Sequence, residues 1–457
     1  MIKLFKAISV FTVVAILLTA CATPTTEAPK ATAAAPTSKL SVGIVLPTKD
    51  EPRWIQDQTR FQDALKAAGY DVEILFSQGD SAKEKANVES LITKGVKVII
   101  ITPQDGNAAA ASAEAARKAG VKVISYDRLI RGTDAVDYYV TFDSIAVGAA
   151  HSQYLIDKAG ATKGNNLYLY AGAASDNNAF IFFQGAWETI QPKIADGTFV
   201  IKNSSEAVAL QAKKTLTRDE QAKIIGQITT NWDFNTAKSL AEANLTKAQA
   251  ADKGTVYIVA PNDGTGRAIA DAFAADKAVT KYYVTGQDAE KASVQYIIDG
   301  KQSMTVFKDV RTLVKDAITA SVALLKGEKP ASKGSYNNGK IDVPAIQSAV
   351  VTVTKDNLKS ALIDSGYYQA SDFKGLDASG APVASKLSVG IVLPTKDEPR
   401  WIQDQTRFQD ALKAAGYDVE ILFSQGDSAK EKANVESLIT KGVKVIIITP
   451  QDGNAAA

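Results

Sequence analysis

From residue 40 onward, short apolar runs alternate with amphipathic stretches. The run at 40–46 is closed by Pro47, and the runs at 72–76, 96–101 and 121–125 are rich in Val and Ile. Between them, 53–68 sets Trp54, Phe61, Leu65 and Ala68 on one helical stripe, and 82–94 and 107–118 follow as helices. β-branched strands separated by helices predict a parallel sheet covered on both faces. The alternation resumes after Asp143, with strands at 167–170, 256–259, 282–284 and 304–307. Helices are expected near 145–159, 178–190, 236–248, 266–275 and 310–325. Two such series in succession predict two lobes.

A repeat interrupts this order. Residues 38–110 and 385–457 are identical at every position, and a linker at 373–384 precedes the second copy. Identity without drift points to a recent duplication or a join in the sequence rather than a selected extra domain. The second copy carries three strands and two helices of the first lobe but no counterpart of the strand at 121–125. It is therefore read as an incomplete unit with an unpaired edge, marginal on its own. Exchange with the first copy is conceivable on this reading, as in domain swapping. The first copy is favoured because Ala110 runs directly into Ala111.

The N-terminus changes the compartment. Lys3 and Lys6 precede an apolar run at 7–18, which leads into Leu18-Thr19-Ala20-Cys21. The run falls short of the roughly 20 residues that span a bilayer and has the shape of an export signal. Small residues before a cysteine resemble a bacterial lipoprotein cleavage box, so 1–20 is read as the signal and Cys21 as the lipidated residue. The simpler alternative is a plain signal peptide with an incidental cysteine. The Ala-, Thr- and Pro-rich segment 21–37 is a tether with a random-coil reach of about 20–25 Å. The protein is expected on the outer face of the cytoplasmic membrane, held by its lipid alone. Cys21 is the single cysteine, so none remains for a disulfide or a metal.

Composition narrows the partners. The formal charge is +2, with 52 basic and 50 acidic residues, and such an even balance argues against nucleic acid. No cofactor, metal site or catalytic group is expected. The acids that follow predicted strands sit beside arginine, amide or lysine, and His151, the only histidine, has no second ligand near it in sequence. It is read as structural or solvated. Gly264-Thr265-Gly266 hints at a dinucleotide turn, but Ile269 stands where the third glycine belongs, which leaves a Rossmann-type enzyme as the weak alternative.

Candidate chemistry gathers at the carboxyl ends of the strands, where open α/β sheets bind ligands. These residues are Arg53 and Trp54, Asp127 and Arg128, Asp176 and Asn178, Trp232, Asn262, Asp288 and Lys308. Indole faces suit the C–H faces of a sugar ring, and buried charges and amides suit its hydroxyls. Each has a plainer reading: Trp54 as core, Asp127-Arg128 as a surface ion pair, Asp176, Asn178 and Asp288 as helix caps, Lys308 as a solvated charge.

Several motifs occur together: Pro47-Thr48-Lys49 with Arg53-Trp54-Ile55, Tyr126-Asp127-Arg128-Leu129-Ile130-Arg131, Thr141-Phe142-Asp143 and Asp176-Asn177-Asn178. To these are added Thr285-Gly286-Gln287-Asp288-Ala289-Glu290, Phe307-Lys308-Asp309 and Asn337-Asn338-Gly339. In this combination the chain resembles the periplasmic sugar-binding proteins of ABC transporters, in particular their D-xylose-binding and multiple-monosaccharide-binding members. The likeness covers 40–373. It implies the type I fold: α/β, two Rossmann-like lobes with parallel sheets, joined by a hinge of three crossovers near Asp143, Lys308 and Pro344. Lobe one would be 38–142 with 309–345, and lobe two 143–308 with 346–372. The resemblance further implies that Trp54 and Trp232 stack on opposite faces of a pyranose. Arg53, Asp127 and Arg128 would reach it from lobe one, and Asp176, Asn178, Asn262, Asp288 and Lys308 from lobe two and the hinge. The implied protein is a monomeric receptor for a xylose-, glucose- or galactose-like aldose that delivers it to an ABC permease. A sugar sensor docking on a chemoreceptor or sensor kinase is the competing reading. Ser144 and the segment 205–230 depart from the family pattern, and the calcium loop of the galactose/glucose branch has no counterpart.

Overall fold

The structure, a computed structural model, describes residues 42–376, 388–415, 417–451 and 453. The signal, Cys21, the tether and most of the linker lie outside the described residues.

Lobe one opens with β1 (Val42–Leu46), α1 (Pro52–Ala67), β2 (Val72–Phe76), α2 (Ser81–Thr93), β3 (Val98–Ile101), α3 (Ala109–Lys118), β4 (Lys122–Tyr126) and β5 (Tyr138–Phe142). Lobe two follows with α4 (Ser144–Ala159), β6 (Asn165–Leu169), α5 (Asn177–Ala195), β7 (Phe199–Ile201), α6 (Ser205–Leu210), α7 (Arg218–Ile228) and α8 (Phe234–Lys247). It continues with β8 (Gly254–Val259), α9 (Asp263–Ala275), β9 (Val279–Val284), α10 (Lys291–Ile298) and β10 (Thr305–Phe307). The chain then returns to lobe one as α11 (Val310–Leu325), β11 (Ser335–Asn337) and β12 (Asp342–Ser348), and crosses back as β13 (Val351–Val353).

The first sheet has the order β11-β12-β5-β4-β3-β1-β2, parallel except for the β11–β12 hairpin. Side chains alternate across it. Ile44, Ile100, Ile124 and Val140 pack against Trp54, Phe61 and Leu65 of α1 and Leu313 and Val314 of α11. Ile99, Ile101 and Val123 face Val88, Ala113 and Ala116 on the other side. Burial on both faces is why these strands read as continuous Val/Ile runs. The second sheet is parallel in the order β7-β6-β8-β9. A bridge from Gln287 to Val306 carries it on to β10, which pairs antiparallel with β13.

The third crossing differs from the expectation. Lobe one was placed at 309–345, yet β12 stays paired with β5 as far as Ser348, through Ile346–Val140, Gln347–Thr141 and Ser348–Phe142. The crossing therefore falls between Ser348 and Val351, beyond Pro344. There it runs beside the first, with Asp143 N donating to Ser348 O at 3.1 Å. The strands β5, β7, β11, β12 and β13 and the helices α6, α7 and α10 were not foreseen. Three of those strands have 3 residues, too few for alternation to register. The α7 start was legible, since Thr217 and Glu220 form a reciprocal capping box.

The repeat folds as β14 (Ser388–Leu393), α12 (Pro399–Ala414), β15 (Asp418–Phe423), α13 (Ser428–Thr440) and β16 (Val445–Ile448). Its sheet, ordered β15-β14-β16, keeps the register of β2-β1-β3: Val389 pairs Val419 and Val445 as Val42 pairs Val72 and Val98.

The helix that carries much of lobe two's chemistry, α5, is held against α4 by two glycines. A Cβ on Gly148 would fall 1.9 Å from Phe182 O, and one on Gly185 would fall 2.2 Å from Ile145 O. Backbone stands in the way in both cases, so relief requires the helices to separate. Gly148→Ala is expected to lose at least about 1–3 kcal/mol in urea unfolding, the range for overpacking. Gly226→Ala in α7, where a Cβ meets nothing within 4 Å, is expected to be neutral or to gain up to about 1 kcal/mol. Equal stability of the two variants would contradict this account of the α4–α5 contact.

Candidate functional site

Every sugar-binding candidate named from the sequence lines one cavity between the lobes: Arg53, Trp54, Asp127, Arg128, Asp176, Asn178, Trp232, Asn262, Asp288 and Lys308. Glu51, Phe182 and Gln287 complete the wall. The free space inside it is about 20 Å³, room for about one water molecule, so the lining side chains nearly fill it. Phe182 was legible as the residue one helical turn beyond Asn178 on α5. Glu51 carried no such signal, because its place follows from how the loop after β1 folds back.

Arg53 is the electrostatic centre. It is 3% exposed, and its guanidinium reaches Asp57 at 2.5 Å, Asp127 at 3.0 Å and Asp288 at 3.5 Å. Asp57 lies one turn along α1, Asp127 follows β4, and Asp288 belongs to lobe two. Tyr126 Oη donates to Asp57 at 2.5 Å. Burial pulls the Arg53 guanidinium down, but Asp57, Asp127 and Asp288 together outweigh it and hold the group firmly charged. Burial pushes Asp127 up, and Arg53, Lys308 and Arg128 overcome that push, leaving its carboxyl below the usual range.

Two more cations are paired in the same way. Arg128 meets Asp176 at 3.0 Å and Glu51 at 3.3 Å, and Lys308 meets Asp288 at 2.7 Å. Burial raises the carboxyls of Asp176 and Glu51, with Arg128 opposing it. The bonds of Arg53 to Asp288, Arg128 to Asp176 and Asn178 Nδ2 to Asp127 Oδ1 at 3.3 Å all cross between the lobes. Arg131 adds another, to Asn177 at 2.8 Å.

Backbone strain concentrates here. Apart from Gln78 and its repeat Gln425, every described non-glycine residue at positive φ lies at or beside the cavity: Asp127, Asn231, Trp232, Asp288 and Ala289. Such conformations persist only where surroundings over-determine them. The Asp127 carbonyl accepts from Tyr139 Oη at 2.7 Å, Thr141 Oγ1 at 3.0 Å and Asn178 Nδ2 at 2.9 Å. Its N–H donates to Val140 O at 2.8 Å.

The plainer readings now separate. Asp176 does cap α5, accepting from Asn178 N at 2.9 Å, while also facing the cavity. Asn262 caps α9 through Thr265. Asp127, Arg128 and Lys308 are buried, so neither the surface-pair reading nor the solvated-charge reading holds. Trp54 is both core and cavity wall. Trp232 stands edge-on to Phe182, with centroids 6.3 Å apart. Its ring is seated on Gly172, where a Cβ would come within 2.0 Å of the indole. Three buried polar atoms of the lining, Asn178 Oδ1, Gln287 Oε1 and Trp232 Nε1, have no hydrogen-bond partner among the described residues, and Trp54 Nε1 faces only Glu51.

His151 is structural rather than solvated. It is buried on α4 with Nε2 3.0 Å from Gly286 O.

The arrangement is that of a solute receptor, two parallel-sheet lobes closed over a small, charge-compensated chamber. The chain belongs to the periplasmic binding protein domain family, which matches residues 42–329 and 389–457. It is 35% identical over 345 residues to the multiple sugar-binding periplasmic receptor ChvE of Rhizobium radiobacter, covering 74% of this chain and 93% of the relative. It is 28% identical to the D-xylose-binding periplasmic protein of Escherichia coli K12, covering 78% of this chain and 98% of that one. Among solved structures, it is 79% identical, with a TM-score of 0.73, to the carbohydrate transporter solute binding protein of Chloroflexus aurantiacus in complex with D-glucose. That match covers 75% of this chain and 100% of the other. The family is one of solute receptors, and the chain is a binding protein rather than an enzyme.

Two predictions follow from the geometry. Gly172→Ala is expected to displace Trp232 and shift its fluorescence while leaving the far-ultraviolet circular dichroism unchanged; an unaltered emission spectrum would contradict the seating. The second concerns His151, whose imidazole is pushed down to about 4, chiefly by burial, with the Gly286 bond and Asp288 opposing. An unfolded histidine titrates near 6.5, so the unfolded chain takes up the proton first as pH falls. Stability is therefore lost from about pH 6.5 down to about 4, by on the order of a few kcal/mol. Relative to His151→Gln, the native protein should weaken across that window in chemical denaturation; a difference independent of pH would refute the assignment.

Proposed function

We propose that the protein is an extracytoplasmic receptor that binds a free aldopyranose, D-glucose foremost, in this cavity and delivers it to an ABC permease. The charge arrangement carries the reading. Each of the three cations lining the chamber is already paired with a carboxylate, so an anionic ligand gains little there and a neutral polyol fits. The D-glucose complex of a protein 79% identical supports glucose over xylose. The xylose-binding relative, at 28%, keeps a pentose as the nearest competitor.

In this reading Trp54 and Trp232 cover the apolar faces of the ring. Asn178 Oδ1 and Gln287 Oε1 accept from its hydroxyls, and Trp232 Nε1 donates to a ring or hydroxyl oxygen. The carboxylates of Asp127, Asp176 and Asp288 keep lone pairs beyond those given to their cations, and accept further hydroxyls through charge-assisted bonds. Hinged closure sets the ligand among groups of both lobes, and the closed shape is what the permease distinguishes. A lipid on Cys21 and the segment 21–37 hold the receptor at the membrane surface as a monomer.

Calorimetry with D-glucose, D-xylose, D-galactose and glucose 6-phosphate tests this. One glucose should bind per chain without turnover, more tightly than xylose, and the phosphate ester should bind far more weakly than glucose. Arg128→Ala and Trp232→Ala should each weaken glucose by at least about 30-fold, corresponding to ~2 kcal/mol, with secondary structure retained. No heat from any sugar would sink the proposal.

A further inference from the structure

The two identical segments occupy different surroundings. In the first copy, α1 buries Arg53, Trp54, Asp57, Phe61 and Leu65, whereas α12, with the same residues, buries none. The edge of β3 is covered by β4, pairing Val98 with Lys122 and Ile100 with Ile124. The matching edge of β16 has no strand beside it among the described residues, and Val445 is 54% exposed where Val98 is 0%. Arg400 lies 3.6 Å from Asp404 and is 74% exposed, whereas Arg53 is enclosed by Asp57, Asp127 and Asp288. Part of the second copy's core is kept. Ile391, Val392, Leu393 and Leu438 are fully buried, and Gly390 abuts Leu438 as Gly43 abuts Leu91. The face that α3 covers in the first copy is open as well, for Ile448 is 37% exposed where Ile101 is 0%.

What the second copy leaves uncovered is therefore the surface that α3, β4 and α11 cover in the first. That complement exists in the chain itself, and it fits either copy equally because the residues are the same.

We propose that residues 385–457 are an interchangeable half-lobe: they displace residues 38–110 from β4 and α11, bringing Glu398, Arg400, Trp401 and Asp404 into the places of Glu51, Arg53, Trp54 and Asp57. The exchange keeps the side-chain contacts of β1, α1, β2, α2 and β3 and interrupts only α3 (Ala109–Lys118), where Ala110 joins Ala111. Chain connection alone separates the two arrangements. The first copy continues into β4 through α3 with no added loop, and the second is attached through 377–387, which reaches at most about 40 Å. Loop-closure terms grow slowly with length, so the first copy predominates and the second supplies a minor, binding-competent state. The chain thus holds two copies of three residues that line the one cavity: Glu51, Arg53 and Trp54, and Glu398, Arg400 and Trp401.

The binding consequence rests on the sugar reading above; the exchange does not, and the two are tested separately. For binding, Trp54→Ala is compared with Trp54→Ala/Trp401→Ala. Loss of the Trp54 ring weakens the first copy's hold on the lobe and favours the second. The single variant should retain native-type glucose binding, weakened only by the fraction exchanged, and the double variant should bind at least 10-fold more weakly than the single. Equal affinities of the two, with the native protein binding glucose, would overturn the inference.

For exchange without ligand, Val98→Cys is placed in a Cys21→Ser background and its thiol labelling rate measured. An intact repeat should expose Val98→Cys several-fold faster than a chain carrying Ile391→Asp, which disrupts the second copy's core. Equal rates would overturn the proposal whether or not any sugar binds. Dependence of the rate on protein concentration would assign the exchange to a second molecule, and independence to the same one; both are the exchange proposed.

Discussion

A guanidinium cannot be left unpaired out of water, and the placement of Arg53 organises the rest of this structure. Removing one partner of a buried pair costs about 3–5 kcal/mol, so Arg53 must be met by carboxylates wherever it is enclosed. Its partners come from three places: Asp57 on its own helix, Asp127 after β4, and Asp288 in the other lobe. Satisfying one charge therefore fixes α1 against the first sheet and sets the register in which the two lobes meet. The left-handed backbone at Asp127 and Asp288 follows from the same demand. A strand that continued in extended conformation would carry each carboxylate past the guanidinium.

This dependence explains which parts were legible beforehand. The buried parallel strands were, because burial on both faces leaves runs of Val and Ile, and the α11 boundaries at Val310 and Leu325 were read as they stand. Site residues were legible where chemistry and position coincide, an acid and an arginine directly after a strand. Residues placed by tertiary turns were not. Glu51 reaches the chamber because the loop after β1 folds back, and β11 and β12 belong to the first sheet through a hairpin pairing that local pattern does not encode. The third crossing slipped past Pro344 for the same reason. Pairing with β5 decided it, and that partner lies some two hundred residues away in the chain.

The repeat separates local from non-local causes within one molecule. Helices α1 and α12 start at the same proline and end in the same backbone geometry, and α2 and α13 are capped alike by Asp80 and Asp427. Those features are set by the residues themselves and survive a change of surroundings. Burial does not survive it. An amphipathic stripe is only a capacity for burial, and without α11 and β4 against it the stripe of α12 stays partly in solvent. The same holds for charge: Arg53 is driven to hold its proton by three carboxylates, and the identical Arg400 stands largely in water.

In the proposed receptor, the groups that bridge the lobes also bear on why closure would respond to a solute. Arg53–Asp288 and Arg128–Asp176 are satisfied by protein alone, and in the proposed hinged receptor each of these side chains would find water if the lobes parted. Such pairs contribute little to the difference between open and closed states, since desolvation opposes their attraction. Asn178 Oδ1, Gln287 Oε1 and Trp232 Nε1 differ, for they are buried with no hydrogen-bond partner among the described residues. An unmade bond to a buried polar atom costs about 1–3 kcal/mol, so these three atoms together weigh against closure over an apolar solute or none. A molecule that presents hydroxyls at the right spacing cancels that penalty, and a ligand shifts a conformational equilibrium only by its differential affinity for the two states. The charged pairs shape the chamber, and the neutral amides and indole make its closing conditional.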